Sequence, residues 1–214
     1  MTDATSPALR IVAVVPVGAL EGAKSRLGGT LDAEERRELA IGMLDRTVKA
    51  ALETAGIDET LVVSPDREVI SRAAAAGART FLQRSQGLNR GLREARDDAI
   101  AGGADAVVIL PIDLPLVSPA ALDQLIAPLF AIEARPLVVL APDRHGRGTN
   151  ALLVAPPDAI EFGFGGDSRA AHAACAADVG ARYIEIDGPL ALDIDTPDDL
   201  LLVEQLMTET ADAR

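Results

Sequence analysis

The stretch Ile11-Val-Ala-Val-Val-Pro-Val17 decides the fold. Its continuous run of apolar, largely β-branched residues predicts a strand buried on both faces, as in a parallel sheet covered by helices. A loop over residues 18–31 follows it. Asp32, with Glu35 three positions later, then forms a capping box that predicts a long helix ending near Gly56. The chain therefore opens with the strand, loop and helix of an α/β protein.

The same alternation of strand and helix patterns continues along the chain. Further strands are predicted at 60–63, 79–82, 106–110, 137–140, 151–154 and 183–186. Further helices are predicted at 66–76, 88–100, 118–130, 168–179 and 197–207, and residues 190–194 are predicted to be extended. No repeat or linker interrupts this order. It predicts a single-domain, three-layer α/β/α sandwich over residues 11–207 with a mostly parallel sheet, and flexible ends at 1–10 and 208–214.

Composition limits the partners that the protein can have. Asp and Glu number 33 against 20 Lys and Arg, which gives a net charge of -13, and there is no Trp and one Tyr. Such a chain repels nucleic acids and anionic membranes and lacks stacking platforms for bases. A single cysteine, Cys175, can form neither an internal disulfide nor a thiolate metal cage, and no apolar run is long enough for a membrane span. We expect a cytoplasmic location, with monomer and homo-oligomer both left open.

The loop after the first strand carries a basic pair. Residues 18–25 miss the P-loop pattern by one position, because Ala23 stands where the second glycine belongs, and the helix signal is delayed until Asp32. We interpret the loop as open, with Lys24 as a point charge and Arg26 as a fork. At the carboxyl end of the first strand these side chains are placed to meet a triphosphate. The alternative is a solvated turn with two surface cations.

Three aspartates lie in two later parts of the chain. Asp113 lies just past a buried strand, and Asp193 and Asp195 alternate in a segment predicted to be extended, so they point to one face. Two carboxylates about 7 Å apart repel by roughly 2 kcal/mol at an effective dielectric near 20, so a cation is expected beside them. Oxygen ligands without His or Cys select magnesium or manganese. The alternative for Asp195 is an aid to the following helix cap, and Asp198 and Asp199 are assigned only to the helix dipole.

Two stretches on either side of the predicted strand at 151–154 could bind an anion: residues 144–150 are rich in hydrogen-bond donors, and residues 162–168 are rich in glycine. The second stretch leads into a predicted helix, whose free N-terminal amides can bind phosphate or carboxylate. A glycine turn with Ser168 as N-cap is the alternative. His172, on the same helical face as Ser168, is interpreted as structural. No Ser-His-Asp or Cys-His arrangement stands out, so covalent catalysis is not expected.

Five motifs follow one another along the chain: Lys24-Ser-Arg-Leu27, Asp113-Leu-Pro-Leu116, Gly148-Thr149-Asn150, Phe164-Gly165-x-x-Ser168-x-x-x-His172 and Asp193-Ile-Asp195-Thr-Pro197. Taken in this order, they resemble the 2-phospho-L-lactate and phosphoenolpyruvate guanylyltransferases of coenzyme F420 biosynthesis. The resemblance runs from about Ile11 to Leu206. It implies a nucleotidyltransferase fold of the glycosyltransferase-A type, similar to that of molybdenum-cofactor nucleotidyltransferases.

The resemblance also implies a reaction. A phosphorylated three-carbon acid attacks the α-phosphate of GTP, which releases pyrophosphate and gives enolpyruvoyl-2-diphospho-5'-guanosine when the acid is phosphoenolpyruvate. Carried over by position, the aspartates Asp113, Asp193 and Asp195 hold Mg²⁺ and act with Lys24 in catalysis. In the same way Thr149, Gly165 and Ser168 bind the acid, and Lys24 and Arg26 meet the triphosphate. Separately, the backbone and amide groups of the stretch from Gln86 to Asn89 are expected to contact the guanine. We therefore expect an enzyme, with GTP and a small acid as partners.

Several alternatives stay open at this point. The acid is phosphoenolpyruvate, 2-phospho-L-lactate or 3-phospho-D-glycerate, and the resemblance favours the first. A nucleotidyltransferase for molybdopterin or a sugar phosphate would share the Lys24 loop and the aspartates. A non-catalytic GTP-binding protein would bind nucleotide without releasing pyrophosphate. A P-loop kinase is disfavoured by Ala23 and by the delayed helix.

Overall fold

The computed structural model describes residues 9–212, and side chains over 9–206. Within that range one seven-stranded sheet forms, in the order β3-β2-β1-β4-β6-β5-β7. Its strands are β1 (Ile11–Pro16), β2 (Glu59–Ser64), β3 (Arg79–Leu82), β4 (Ala106–Ile109), β5 (Leu137–Pro142), β6 (Thr149–Ala155) and β7 (Arg182–Glu185). Every predicted strand is present. The mostly parallel sheet and the single α/β domain are confirmed.

Six α-helices and two short 3-10 helices connect the strands in this range. The α-helices are α1 (Ala33–Glu53), α2 (Arg67–Ala75), α3 (Leu88–Ala101), α4 (Pro119–Ala131), α5 (Ser168–Asp178) and α6 (Pro197–Asp212). The capping box at the start of α1 is confirmed, since Asp32 accepts from the amides of Glu34 and Glu35 while Glu35 accepts from the Asp32 amide.

Two boundaries differ from the prediction. Residues 190–194 were expected to be extended, but Pro189–Ala191 forms a 3-10 helix, because Pro189 fixes φ at a helical value in the first turn. Helix α6 continues to Asp212 and so passes the predicted end at residue 207; no Gly or Pro in that stretch stops it. Of the predicted flexible ends, residues 1–8 and 213–214 lie outside the described residues.

The direction of β6 determines at which edge of the sheet Thr149 lies. It runs antiparallel to β4 and β5, with Ile109 opposite Leu152 and Pro142 opposite Thr149, whereas the other neighbouring pairs in the sheet are parallel. The first residue of β6 therefore lies at the edge where β4 and β5 end. Thr149 consequently shares an edge of the sheet with the loop that carries Asp113.

Both faces of the sheet are covered by helices. On β1, Ala13 and Val15 belong to the apolar cluster that includes side chains of α1, α2 and α4, while Val12 and Val14 belong to the cluster that includes side chains of α3 and α5. This alternation is the period of two that a strand imposes. A third, smaller cluster contains Leu27, Met43, Leu192, Ile194 and Val203. It packs the first loop against the segment that carries Asp193 and Asp195.

Candidate active site

Lys24 connects three segments of the chain. Its ammonium donates to the carbonyl oxygen of Ile194 at 2.6 Å, to Oδ1 of Asp195 at 3.2 Å and to Oδ2 of Asp113 at 3.3 Å. The Lys24 backbone is left-handed, with φ 50° and ψ 41°, at the start of the 3-10 helix Ser25–Leu27. A left-handed non-glycine residue costs on the order of 1–3 kcal/mol and persists only where its surroundings require it. Here the three hydrogen bonds and buried Leu27 hold it.

Of the three aspartates that the sequence singled out, Asp113 and Asp195 contact this lysine, and Asp193 lies near enough to both to feel their charge. The Ile194 amide donates to the Asp113 carbonyl at 2.9 Å, which fixes the two loops against each other. Ile194 is buried while Asp193 and Asp195 are partly exposed, as the alternation predicted. Burial, followed by repulsion from Asp113 and Asp195, raises the pKa of Asp193. The ionised form of Asp193 is therefore less favourable in the folded protein than in water.

The donor chemistry of this group suits a hard divalent cation, since carboxylate oxygens are the ligands that magnesium prefers. In the arrangement described, the Lys24 ammonium lies between Asp113 and Asp195. Across the described residues, no three His, Cys, Asp or Glu side chains are grouped closely enough to hold a metal ion. The carboxylates are thus gathered around an ammonium.

A cavity of about 420 Å³ opens beside Lys24. Its wall includes Gly18–Leu20 and Lys24–Arg26 from the first loop, Pro111–Asp113 after β4, Leu88 at the start of α3, and Asp195. A cavity of this size falls within the range of small-molecule sites. Arg26 pairs with Asp195 at 3.3 Å, but its side chain is 75% exposed, so this ion pair contributes little to stability and leaves Arg26 available to a ligand.

Asp199 does more than complement the dipole of α6, the only role that the sequence assigned to it. One of its oxygens accepts from the Asp195 amide at 3.0 Å, the Thr196 amide at 2.7 Å and the Thr196 hydroxyl at 2.8 Å. The other pairs with Arg144. Thr196, three residues before Asp199, was a visible signal for a capping motif, whereas the Arg144 partner could not be read from sequence. Asp199 thereby fixes the backbone of Asp195.

The ionisation of Asp199 follows from these bonds. Burial opposes its charge, but the hydroxyl of Thr196, the amides of Asp195 and Thr196, and the positive charge of Arg144 outweigh that effect and lower its pKa. A lowered pKa means that the folded protein favours the charged form. Asp199 is thus a buried carboxylate with partners on both oxygens.

A second polar cluster lies where β6 begins. The Thr149 hydroxyl is 3.0 Å from Nδ1 of His172, and the Gly163 amide donates to Nε2 of the same ring at 3.0 Å. Thr149 and His172 are both buried. The ring of Phe164 meets the His172 imidazole edge-on at 4.9 Å between centroids. His172, interpreted from sequence as structural, therefore links Thr149 to the glycine segment before α5.

That segment has the backbone of an anion site. Gly165 and Gly166 have φ of +114° and +38°, values that L side chains rarely adopt. The N-cap of α5, Asp167, makes no side-chain cap hydrogen bond, and Ser168 in the first turn is buried. One first-turn amide, that of Arg169, donates to the Arg147 carbonyl at 3.1 Å. The amide of Ser168, at the start of the helix, is suited to phosphate or carboxylate. Thr149, Gly165 and Ser168 are thus brought to one region.

Asn89 and Gln86, both predicted to contact guanine, have different surroundings in the structure. Nδ2 of Asn89 donates to the Phe164 carbonyl and Oδ1 accepts from the Phe164 amide, both at 2.9 Å. Asn89 therefore ties the start of α3 to the glycine segment. Gln86 is exposed just before α3, and the cavity wall includes its near neighbour Leu88 but not Gln86 itself. The structure leaves their contact with a base as a prediction.

A family model and sequence relatives agree on one family, and a solved structure shares the fold. A family model described as "Guanylyl transferase CofC like" matches residues 11–211. A phosphoenolpyruvate guanylyltransferase of Sphaerobacter thermophilus is 46% identical over 88% of this chain and 90% of its own length. One of Rubrobacter xylanophilus is 43% identical over 92% and 94%. A solved nucleotidyl transferase structure from Methanothermobacter has a TM-score of 0.65 at 20% identity, covering 94% of this chain and 99% of that one.

In the part of the chain that the structure describes, no helix is long and apolar enough to cross a membrane.

Proposed function

Because the chain belongs to the CofC-like family of guanylyl transferases, we propose that it transfers GMP from GTP to phosphoenolpyruvate. The products are pyrophosphate and enolpyruvoyl-2-diphospho-5'-guanosine, which serves coenzyme F420 assembly. One observation carries the proposal: Lys24 of the first loop reaches both Asp113 and Asp195 on the wall of one cavity. Ligands of open α/β sheets bind outside the carboxyl ends of the strands, which is where this cavity lies. A lysine at such a place can bind the phosphate groups of a nucleotide.

The proposed chemistry needs positioning and charge neutralisation more than it needs a base. The attacking group is the phosphate of the acid, which already carries negative charge at neutral pH. Lys24 and Arg26 meet the triphosphate, where their positive charges oppose repulsion between the two phosphate groups. His172 is buried with both ring nitrogens occupied by Thr149 and Gly163, which leaves it no role as a base.

We propose that Asp113, Asp193 and Asp195 hold Mg²⁺ when the nucleotide is bound. The support is their oxygen-only donor set together with the raised pKa of Asp193, which follows from burial first and from the neighbouring charges of Asp113 and Asp195 second. When bound, the metal neutralises charge on the transferring phosphate and on the leaving pyrophosphate. Asp199 and Arg144 hold the backbone of Asp195 in place for this role.

The acid is assigned to the region of Thr149, Gly165 and Ser168. The N-terminus of α5, where Asp167 makes no side-chain cap hydrogen bond, and the left-handed glycines before it support amide binding of a carboxylate or phosphate. Phosphoenolpyruvate is preferred to 2-phospho-L-lactate and 3-phospho-D-glycerate because the relatives compared above carry its name. Guanine is assigned to the side of the cavity near Leu88, with Gln86 and Asn89 as the neighbouring polar residues.

Product identification tests this proposal. The protein is incubated with GTP, Mg²⁺ and phosphoenolpyruvate, and the nucleotides are identified by liquid chromatography and mass spectrometry. We expect a guanosine diphosphate ester of enolpyruvate to appear in equal amount with pyrophosphate. Accumulation of GDP or free GMP instead would contradict transfer to the acid. Unchanged GTP, despite measurable GTP binding, would favour a non-catalytic binder, and turnover only with molybdopterin or a sugar phosphate would favour that rival.

A further inference from the structure

We infer that His172 is a positioning residue for acid binding, which makes the Thr149 hydroxyl a hydrogen-bond donor to the acid and couples it to the Gly163 backbone. The inference deepens the proposed function and rests on it, since Thr149 is assigned there to the acid. Nothing in the sequence pattern alone distinguishes this role from that of a core histidine.

The direction of each hydrogen bond follows from the chemistry of the groups. A backbone amide can only donate, so Nε2 of His172, at 3.0 Å from the Gly163 nitrogen, must present a lone pair. The ring carries at least one proton, which then resides on Nδ1. Nδ1–H therefore donates to Oγ1 of Thr149 at 3.0 Å. This is one tautomer out of two, selected by the Gly163 amide.

This tautomer fixes what Thr149 can do. Its oxygen accepts from His172, so the hydroxyl proton is left to donate to another group. An anionic acid supplies only acceptors at its carboxylate and phosphate oxygens. With the other tautomer, Thr149 would donate to the ring and present only a lone pair to the acid, which would repel it.

The surroundings keep the ring neutral and in place. His172 is fully buried, and burial lowers its pKa to about 4. Phe164 packs edge-on against the imidazole at 4.9 Å, and Asn89 holds the backbone of Phe164 with two hydrogen bonds. His172 and Ser168 are one turn apart on α5, so one helix carries both the positioning residue and an acid-binding residue.

Imidazole NMR tests the tautomer without any turnover. The chain has two histidines, so ¹⁵N-histidine labelling gives few signals, and His145→Gln, which replaces an exposed side chain, assigns them. We expect His172 to carry its proton on Nδ1 at pH 7 and that proton signal to move when Thr149→Val is made and when phosphoenolpyruvate is added with Mg²⁺ and GTP. A proton on Nε2, or an Nδ1 signal that saturating acid leaves unmoved, would overturn the inference.

Kinetics with two conservative variants separates positioning from packing. In His172→Asn the amide nitrogen can replace Nδ1 as donor to Thr149, whereas in His172→Gln the longer side chain can replace Nε2 toward Gly163. We expect His172→Gln to raise the KM for the acid about tenfold, the usual effect of one lost hydrogen bond. His172→Asn should stay within about threefold of the wild type, and the KM for GTP should change in neither.

A double-mutant cycle completes the test. In the Thr149→Val background, His172→Gln should add no further increase in the KM for the acid, because the two residues act through one hydrogen bond. Additive effects, equal effects of the Asn and Gln variants, or a parallel rise in the KM for GTP would contradict positioning. Absence of turnover by the wild type with every acid would instead contradict the proposed function, while the NMR readout still decides the tautomer and its response to acid.

Discussion

The ammonium of Lys24 lies 3.2 Å from a carboxylate oxygen of Asp195, although 171 positions separate the two residues in the sequence. The contact joins the loop after the first strand to the segment before the last helix. Leu27 and Ile194 pack in one apolar cluster beneath it, so the polar contact has a hydrophobic base. The first loop and the aspartate segment therefore act as one site.

Replacing Lys24 by Met should lower kcat/KM for GTP by about 100-fold or more, because charge neutralisation at a transferring phosphate contributes several kcal/mol. Steady-state pyrophosphate release measures the effect. Lys49→Met is the matched control, since Lys49 is an exposed lysine on α1 whose ion pair is with Glu53, one turn along the same helix. Equal losses in both variants, or none in either, would remove Lys24 from the site.

Asp193→Asn should reduce turnover by about 100-fold or more while making the protein more stable at neutral pH. The activity falls because a metal ligand is lost. The stability rises because the pKa of Asp193 is raised in the folded state: its charge disfavours folding above pH about 4, and that cost disappears as the group is protonated. Urea unfolding in metal-free buffer at pH 7 measures this, with exposed Asp198→Asn as control. A less stable Asp193→Asn would show that the carboxylate is structural.

The stabilising contribution of Asp199 to the free energy of unfolding should be lost at acidic pH. Its pKa is lowered on folding, so its contribution is present above pH about 4 and is lost as pH falls through the folded-state value. Asp199→Asn removes that contribution and leaves Arg144 without its charged partner. We expect the difference in unfolding free energy between wild type and variant to be largest near pH 7 and to shrink toward pH 3. A difference that does not depend on pH would contradict the assignment.

Asn89→Ala distinguishes two roles for Asn89. If its two hydrogen bonds to Phe164 are what matters, the KM for the acid should rise about tenfold and the KM for GTP should stay unchanged. Gln86→Ala, a few residues away and exposed, is the companion variant for the nucleotide. A rise in the KM for GTP alone in Asn89→Ala would support the base contact predicted from sequence.

Much of the fold could be predicted from the sequence, because short sequence patterns that favour a strand or start a helix agree with the final structure. The run after Ile11, the capping box at Asp32 and the Ser118-Pro119 helix start each act within a few residues, where periodicity and capping chemistry decide the structure. The positions of Lys24 and Asp113 could also be predicted, because both follow parallel strands, whose carboxyl ends share one edge. Asp195 was singled out by its alternation with Asp193 around buried Ile194.

Two kinds of feature could not be predicted from the sequence: the direction of one strand, and the partners that two side chains find in distant parts of the chain. Strand β6 runs antiparallel to its neighbours and thereby brings Thr149 to the edge of the sheet where β4 and β5 end. An apolar segment that is buried on both faces has no sequence pattern that indicates its direction. The partners of Asp199 and His172, namely Arg144 and the pair Thr149 and Gly163, are set by tertiary packing. A lone histidine in an Ala-rich helix carries no signal for them.

Pyrophosphate release under matched conditions tests the central claim most directly. The protein is given Mg²⁺ with GTP, ATP or CTP, and each nucleotide is offered phosphoenolpyruvate, 2-phospho-L-lactate, 3-phospho-D-glycerate or no acid. We expect release with GTP and phosphoenolpyruvate, reduced by about 100-fold or more in Lys24→Met and in Asp193→Asn. Release that is equally fast without any acid, or none with GTP and all three acids, would contradict it.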